Sequence, residues 1–455
     1  MNLSLTSRNV NMLSGSVAKG LFALALPVII MNVLQNLFNM IDMAVLRNFA
    51  AEADIAIGAI GATGSLSTLC TSLIFGISAG ANVLVARSLG RQDTESVKRL
   101  VGASMAFSLA GGVVLALVGI LGARTFLAWT NCAPALMDEA VVYFQMYFAT
   151  APLIVFSNFS GALLRAQGNT SGPMFYMTIG GAIKVLFSIF AIVVLKLELM
   201  GLCLATLVSW IVVSVLYARA LWSKDSYLAI DPKDIRFYWS ELKGMLHIGI
   251  PTGLQTALYS VANVVIQTAV NGFGKEATTG LGIANIYDGI IYAISVGAAT
   301  AVMPFMSQNI GAGNIQRAKQ TVSKGIWITV ALGGSLGALS AIFSGPLSQM
   351  MSDDPLVIGF SQQKMIVVSS LYFICGINEV MSASMRALKK PVIPTVATLV
   401  YMCGFRFLWV YGIYPLLPNN LTFLYLVWPI GWILSIGTLL IWYIPAVKKL
   451  ENEIY

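Results

Sequence analysis

Twelve times along its 455 residues the chain runs for more than twenty residues with almost no charge: about 21–46, 55–84, 100–123, 136–163, 172–195, 199–222, 244–272, 279–306, 321–346, 357–385, 391–416 and 422–446. A helix rising 1.5 Å per residue needs about 20 apolar residues to cross the hydrocarbon of a bilayer. Only helices and closed barrels satisfy their backbone hydrogen bonds there, and runs this long without period-2 alternation select helices. The expected fold is an all-α integral membrane protein with twelve transmembrane helices. Composition agrees, because 10% charged residues is less than half the share of about 25% that a soluble domain carries.

The net charge of +8 does not point to nucleic acid, since no basic run exceeds a dipeptide and a phosphate track needs more. It is topological instead. Of 27 Lys and Arg, only Arg47, Arg124, Lys196 and Lys275 fall in the connections away from the termini, and three lie well inside spans, leaving twenty on the side of the termini. Cytoplasmic loops are the lysine- and arginine-rich ones, so both termini are expected in the cytoplasm of a cell-membrane protein. The opening MNLSLTSRNVNMLSGSVAKG has no apolar core before a cleavage site and reads as a cytoplasmic lead-in rather than a signal peptide. Five scattered cysteines and a single histidine, His247, form no disulfide or zinc pattern; neither metal nor cofactor is expected.

The chain repeats internally. Leu26-Pro27 and Ile250-Pro251 align at a shift of 224, and a shift of 221 then aligns Gly76 with Gly297, Gly90 with Gly311, Lys98 with Lys319, Arg165-Ala166 with Arg386-Ala387 and Pro173 with Pro394. Two six-helix lobes, 1–222 and 244–455, are expected around a polar cytoplasmic linker at 223–243. Six is even, so the lobes share an orientation; parallel repeats place a site near the midplane and work by rocking.

Six stretches carry a resemblance: ALPVIIMNVLQNLFNMID at 25–42, AIGATGSLSTL at 59–69, FGISAGANVLVARSLGRQD at 75–93, LLRAQGNTSGP at 163–173, GIPTGLQ at 249–255 and SQNIGAGN at 307–314. With them the chain resembles the multidrug and toxic compound extrusion (MATE) family, in particular its bacterial branch from anaerobic Gram-positive organisms. The resemblance implies a V-shaped antiporter of two six-helix repeats, exporting organic, often cationic, compounds against an inward flow of Na⁺ or H⁺, with the first-helix acid, Asp42, in coupling. The expected partners are small organic substrates, the coupling ion and membrane lipids, with no nucleic acid and no obligate protein partner. Where the family commonly has asparagine and then asparagine or aspartate on the fifth helix, this chain has Lys184 and Ser188. A lysine there is similar to the lipid-linked saccharide flippases of the same superfamily, which stand as the alternative function.

Six charges lie at least four residues inside the span ends: Asp42, Lys184, Asp288, Lys364, Glu379 and Arg406. A charged side chain at the bilayer centre costs about 2.5–3.5 kcal/mol on insertion scales, so each should face a partner or water. Asp42, Lys184, Ser188 and Thr206 are the expected ion- or proton-coupling set, H⁺ being favoured because an ammonium carries the charge of Na⁺ and opposes its entry. Glu379, set opposite Asn158 by the repeat, is expected to pair with Arg406, which lies one residue from the repeat mate of Lys184. Asn285 and Asp288 share a helix face that either meets cationic substrates or makes a polar helix contact. Asn263, Gln267 and Asn271, spaced by four, either line the cavity or bind helices together. No G-x-x-x-x-G-K-[ST] exists, which leaves ATP-driven export without support. A membrane acyl- or glycosyltransferase is disfavoured by the lone His247 and by the absence of a paired-carboxylate loop, so no enzymatic activity is expected.

Overall fold

The computed structural model describes residues 9–454 apart from Ala51, Asn131, 224–227 and Ile230. Part of the 223–243 linker and the first eight residues of the lead-in therefore lie outside the described residues. Everything described is helix or short connection. The long elements are α1 (Val17–Phe49), α2 (Ala53–Gly90), α3 (Thr94–Trp129), α4 (Pro134–Ala149 and Ala151–Ala166, bent by 45°), α5 (Ser171–Val194) and α6 (Glu198–Leu221). They are followed by α7 (Trp239–Asn271), α8 (Lys275–Gly311), α9 (Ile315–Ile342), α10 (Pro355–Ala387), α11 (Val392–Leu416) and α12 (Leu421–Glu453). Ten of these are long and apolar enough to cross a membrane, and the bent α4 adds an eleventh. The twelfth is α7, 33 residues long, whose amides and hydroxyls dilute its hydropathy.

Lipid-facing ridges identify the outer surfaces. Along α3, Val114, Leu117, Val118 and Leu121 are all exposed, an arrangement that water would penalise and acyl chains accept.

Contacts divide the chain into two compact units, one holding Ile30–Gly253 and the other Asn11–Ile29 with Leu254–Tyr455. The first half of α7 thus packs within the first unit and the first half of α1 within the second. Glycines make these packings close. A Cβ on Gly76 would fall on the backbone of Gly249 and Gly253, one on Gly80 would fall on that of Met245, and one on Gly253 on that of Leu73. Gly76 and Gly80 on α2 and Gly249 and Gly253 on α7 are both spaced by four, the small-residue pattern that lets membrane helices touch backbone to backbone. In the second unit a Cβ on Gly297, the repeat mate of Gly76, would fall on the Ile29 side chain of α1, with the Ala25 carbonyl oxygen next.

The repeat extends to backbone conformation. Gln92 (φ 58°) and Gly313 (φ 75°) are 221 apart, as are Gly168 (φ 94°) and Lys389 (φ 59°). The next residues, Asp93 and Asn314, cap α3 and α9 by accepting hydrogen bonds from the Ser96 and Arg317 backbone N–H groups at 3.0 and 3.1 Å. The bonds from Ser96 hold the Asp93 carboxyl below its ordinary range. Gly90 and Gly311 themselves end their helices, and the left-handed residue of each turn comes two positions later. Beside the second of these turns, Arg317 donates from Nε, Nη1 and Nη2 to the carbonyls of Met12, Gly15 and Ser14 at 2.7–2.9 Å, fixing the chain that enters α1.

The glycine contact makes a test. Gly253→Val is expected to force α2 and α7 apart and sharply shorten the thermal half-life of purified protein in detergent. Gly61→Ala, where a Cβ meets nothing within 4 Å, should leave it unchanged. Equal half-lives would show that the close approach carries no stability.

Candidate functional site

In the first unit Asp42, 2% exposed, projects from α1 toward α5. Lys184 Nζ stands 2.6 Å from its Oδ2, and the Ser188 hydroxyl donates to its Oδ1 at 3.2 Å. Lys184 and Ser188 are one helical turn apart and so share the face that meets α1. Lys184 also donates to Asn39 Oδ1 at 3.5 Å, and Asn39 lies three residues before Asp42 on the same face. The lysine side chain is 20% exposed and the aspartate 2%: one end of the pair reaches the surroundings while the other is sealed. Thr206 is not in this cluster through its hydroxyl, which donates to the Leu202 carbonyl of its own helix at 2.9 Å. Asn158 likewise donates to its own helix, at Ile154.

The second unit holds a second buried pair. Asp288 Oδ2 on α8 lies 2.9 Å from Lys364 Nζ on α10, with side chains 7% and 2% exposed. Ser369 donates to Asp288 Oδ1 at 2.5 Å, and Lys364 also donates to Asn285. Asn285 and Asp288 do share a face, and that face is occupied by Lys364.

The expected Glu379–Arg406 pair does not form. Arg406, 2% exposed, donates from Nη1 to Asn263 Oδ1 at 2.8 Å, and its guanidinium lies 5.5 Å from the Trp428 ring centroid. Glu379 is turned toward Arg386 and Tyr259, and Arg386 donates to Gln255 at 3.0 Å. Glu379 and Arg386 are seven residues apart on one helix, hence on the same side of it, so the acid's neighbouring cation comes from its own helix. Gln267 donates to Asn271 at 2.8 Å, and Thr278 at the start of α8 donates to Asn271 at 3.1 Å. The amide stripe of α7 is thus divided: Asn263 faces a buried cation, and the other two form a helix-end contact.

Residues that the sequence left unassigned complete both sites: Asn39 in the first, and Ser369, Trp428 and the partnership of Lys364 in the second. Asn39 carries a signal in hindsight, because the 224 shift that aligns the two Leu/Ile-Pro pairs takes it to Asn263. Among the described residues no cluster of three or more His, Cys, Asp or Glu has the arrangement of a metal site.

With this geometry in hand, the comparisons with known proteins are specific. The MatE family model matches residues 27–190 and 251–411. The chain is 25% identical over 400 residues, covering 86% of itself and 85% of the relative, to the "Probable multidrug resistance protein YoeA" of Bacillus subtilis. It is 25% identical over 397 residues, covering 85% of itself and 86% of the relative, to the "FAD transporter" of Shewanella oneidensis. Among solved structures, an outward-facing multidrug resistance MATE transporter superposes with a TM-score of 0.89 over 98% of this chain and 99% of that one, at 20% identity. The matched stretches contain Asp42, Lys184, Asp288 and Lys364, the residues of the two buried pairs, and the chain belongs to the MatE family of multi-pass membrane transporters.

Proposed function

We propose that this protein is a cation-coupled antiporter that exports small amphipathic, often cationic organic compounds across the cell membrane, with H⁺ as the coupling ion. The observation that carries the reading is the Asp42–Lys184 pair at 2.6 Å. The ammonium occupies the neighbourhood of the carboxylate with the charge that Na⁺ would bring, so a sodium ion would have to displace a covalently tethered competitor. A proton needs no such space: it neutralises Asp42, releases Lys184, and gives the first unit two states for a gradient to select. Lobes 1–222 and 244–455, joined by 223–243 with both termini cytoplasmic, would then alternate access as a rocker switch.

The energetics are adequate. Moving one charge inward through 100 mV is worth about 2.3 kcal/mol, a gradient of about fiftyfold for a neutral substrate. Exchange of one proton for one monovalent cation is electroneutral, so cation export draws on the pH difference alone. Relatives named for multidrug resistance support export of organic compounds. The set expected to line the substrate cavity is Asn158, Asn263, Gln267, Asn285, Asp288, Glu379 and Arg406, of which Asn158 and Gln267 are engaged within their own helices. Within it Lys364 neutralises Asp288, leaving Glu379, whose Oε1 is buried without a hydrogen-bond partner, as the acid for a cationic substrate. The flippase alternative needs several free cations for a pyrophosphate. Asp42 neutralises Lys184, which leaves Arg406 alone in that role.

Proteoliposomes carrying a fluorescent organic cation test the coupling, with Na⁺ and pH gradients imposed separately. Efflux is expected under the pH gradient at zero Na⁺, and Lys184→Asn is expected to acquire Na⁺ dependence. Wild-type efflux driven by Na⁺ at constant pH would overturn the assignment of the proton.

A further inference from the structure

Arg406 is a buried cation without a counter-charge. None of the ion pairs among the described residues includes it; Asp288 is committed to Lys364, and Glu379 faces Arg386. Its Nη1 is satisfied by Asn263, whereas its Nε is buried with no hydrogen-bond partner at all. Inside a membrane such a group is costly unless something of opposite charge comes to it.

The repeat shows what is missing. In the first unit a cation on α5, Lys184, meets an amide on α1, Asn39, and an acid one turn on, Asp42. In the second a cation on α11, Arg406, meets an amide on α7, Asn263. Asn39 and Asn263 are repeat mates at the shift of 224, and the same shift takes Asp42 to Ile266, an apolar side chain 1% exposed. The second unit thus retains the base and the amide and has lost the acid. The one-residue offset between Arg406 and the mate of Lys184 falls just after the π-helical turns at Thr398–Gly404, which hold an extra residue per turn. A second π-helical stretch, Trp409–Ile413, follows the single α-turn that carries Arg406. Such turns recur at functional sites.

The surroundings suit an organic anion better than a bare ion. Trp428 lies under both Arg406 and Lys364, at 5.5 and 5.4 Å, and next to Tyr425 at 5.8 Å between ring centroids. The Tyr425 hydroxyl is itself buried without a partner. Because Nη1 is engaged, the Nε side of the guanidinium is the one left, and a planar fork of N–H donors fits a carboxylate.

We infer that Arg406, with Asn263 and Trp428, forms a site in the second unit that accepts the carboxylate of an aromatic ligand. This rests on the reading of the chain as a transporter of small organic compounds, and it adds an anionic requirement to the cationic one. The ligand's carboxylate supplies the charge that Asp42 supplies in the first unit.

Equilibrium dialysis of the full-length protein in nanodiscs, with radiolabelled indole-3-acetate and its neutral isostere indole-3-acetamide as probes, tests the assignment. The carboxylate is expected to bind at least tenfold more tightly than the amide, and Arg406→Gln should remove that difference, so that the two probes bind equally. Asn263→Asp places a tethered carboxylate on the guanidinium; it should abolish the preference and raise the melting temperature, and it decides the matter if Arg406→Gln does not fold. Equal binding of the two probes by the wild type, or a preference that survives Asn263→Asp, overturns the inference. Displacement of indole-3-acetate by low millimolar chloride overturns the organic part of it, leaving an inorganic anion site. Failure of cation efflux in the vesicle assay strikes the transport reading alone, because dialysis needs no transport.

Discussion

Asp42→Asn is expected to abolish uphill export completely, so that the steady-state substrate ratio across the membrane falls to one under any imposed pH gradient. Substrate binding and downhill exchange are expected to persist. The asparagine keeps the shape of the aspartate and can still accept the Ser188 hydroxyl, which lies 3.2 Å from Oδ1, but it has no proton to release. With no second protonation state the first unit has nothing for the gradient to select, and a ligand with equal affinity for two states shifts neither. The variant should also fold. Lys184 loses its counter-charge, yet its side chain is 20% exposed and keeps Asn39 Oδ1 as an acceptor at 3.5 Å. Vesicle accumulation and equilibrium binding, measured on the same preparation, check both halves of the expectation. Retained uphill transport would remove Asp42 from the coupling machinery.

The twelve spans were legible because crossing a bilayer is a demand on local composition, met by each helix without reference to its neighbours. The repeat was legible for a similar reason: Pro27 and Pro251, Gly76 and Gly297, and Arg165 and Arg386 hold positions that the backbone needs in each half. The Asp42–Lys184 partnership also came through, since Asp42 and Lys184 are the only charges that fall at least four residues inside the ends of the six spans of the first half. The second half has four such charges, and their pairing depends on the azimuth of each side chain around its helix. Glu379 and Arg406 lie in successive spans, but seven-residue spacing points Glu379 along α10 at Arg386, and the π-helical turns before Arg406 shift its register by one residue. Neither the turns nor the contact between α8 and α10 is written in local hydropathy. Asp288 and Lys364, 76 residues apart in the chain, therefore met only in three dimensions.

That meeting defines a second large effect. Breaking the Asp288–Lys364 pair is expected to destabilise the protein far more than breaking Asp42–Lys184 does, although the two pairs have the same chemistry and similar lengths, 2.9 and 2.6 Å. The difference is solvent. Lys364 is 2% exposed and Asp288 7%, so neither stranded charge can reach water, and removing one partner of such a pair typically costs about 3–5 kcal/mol. Asp288→Asn leaves an ammonium held only by Asn285 and the face of Trp428. Lys364→Met leaves a carboxylate held only by Ser369. Each single change should cut folded yield and thermal half-life severely, and the Asp288→Asn, Lys364→Met double change should recover much of the loss because no charge is left uncompensated. A double-mutant cycle on thermal half-life reads the coupling directly, and additive losses would show that the two groups do not stabilise each other. Proton-driven transport by the surviving double variant separates the roles: activity retained there, and lost in Asp42→Asn, would divide the two pairs into one that holds the second unit together and one that the gradient works on.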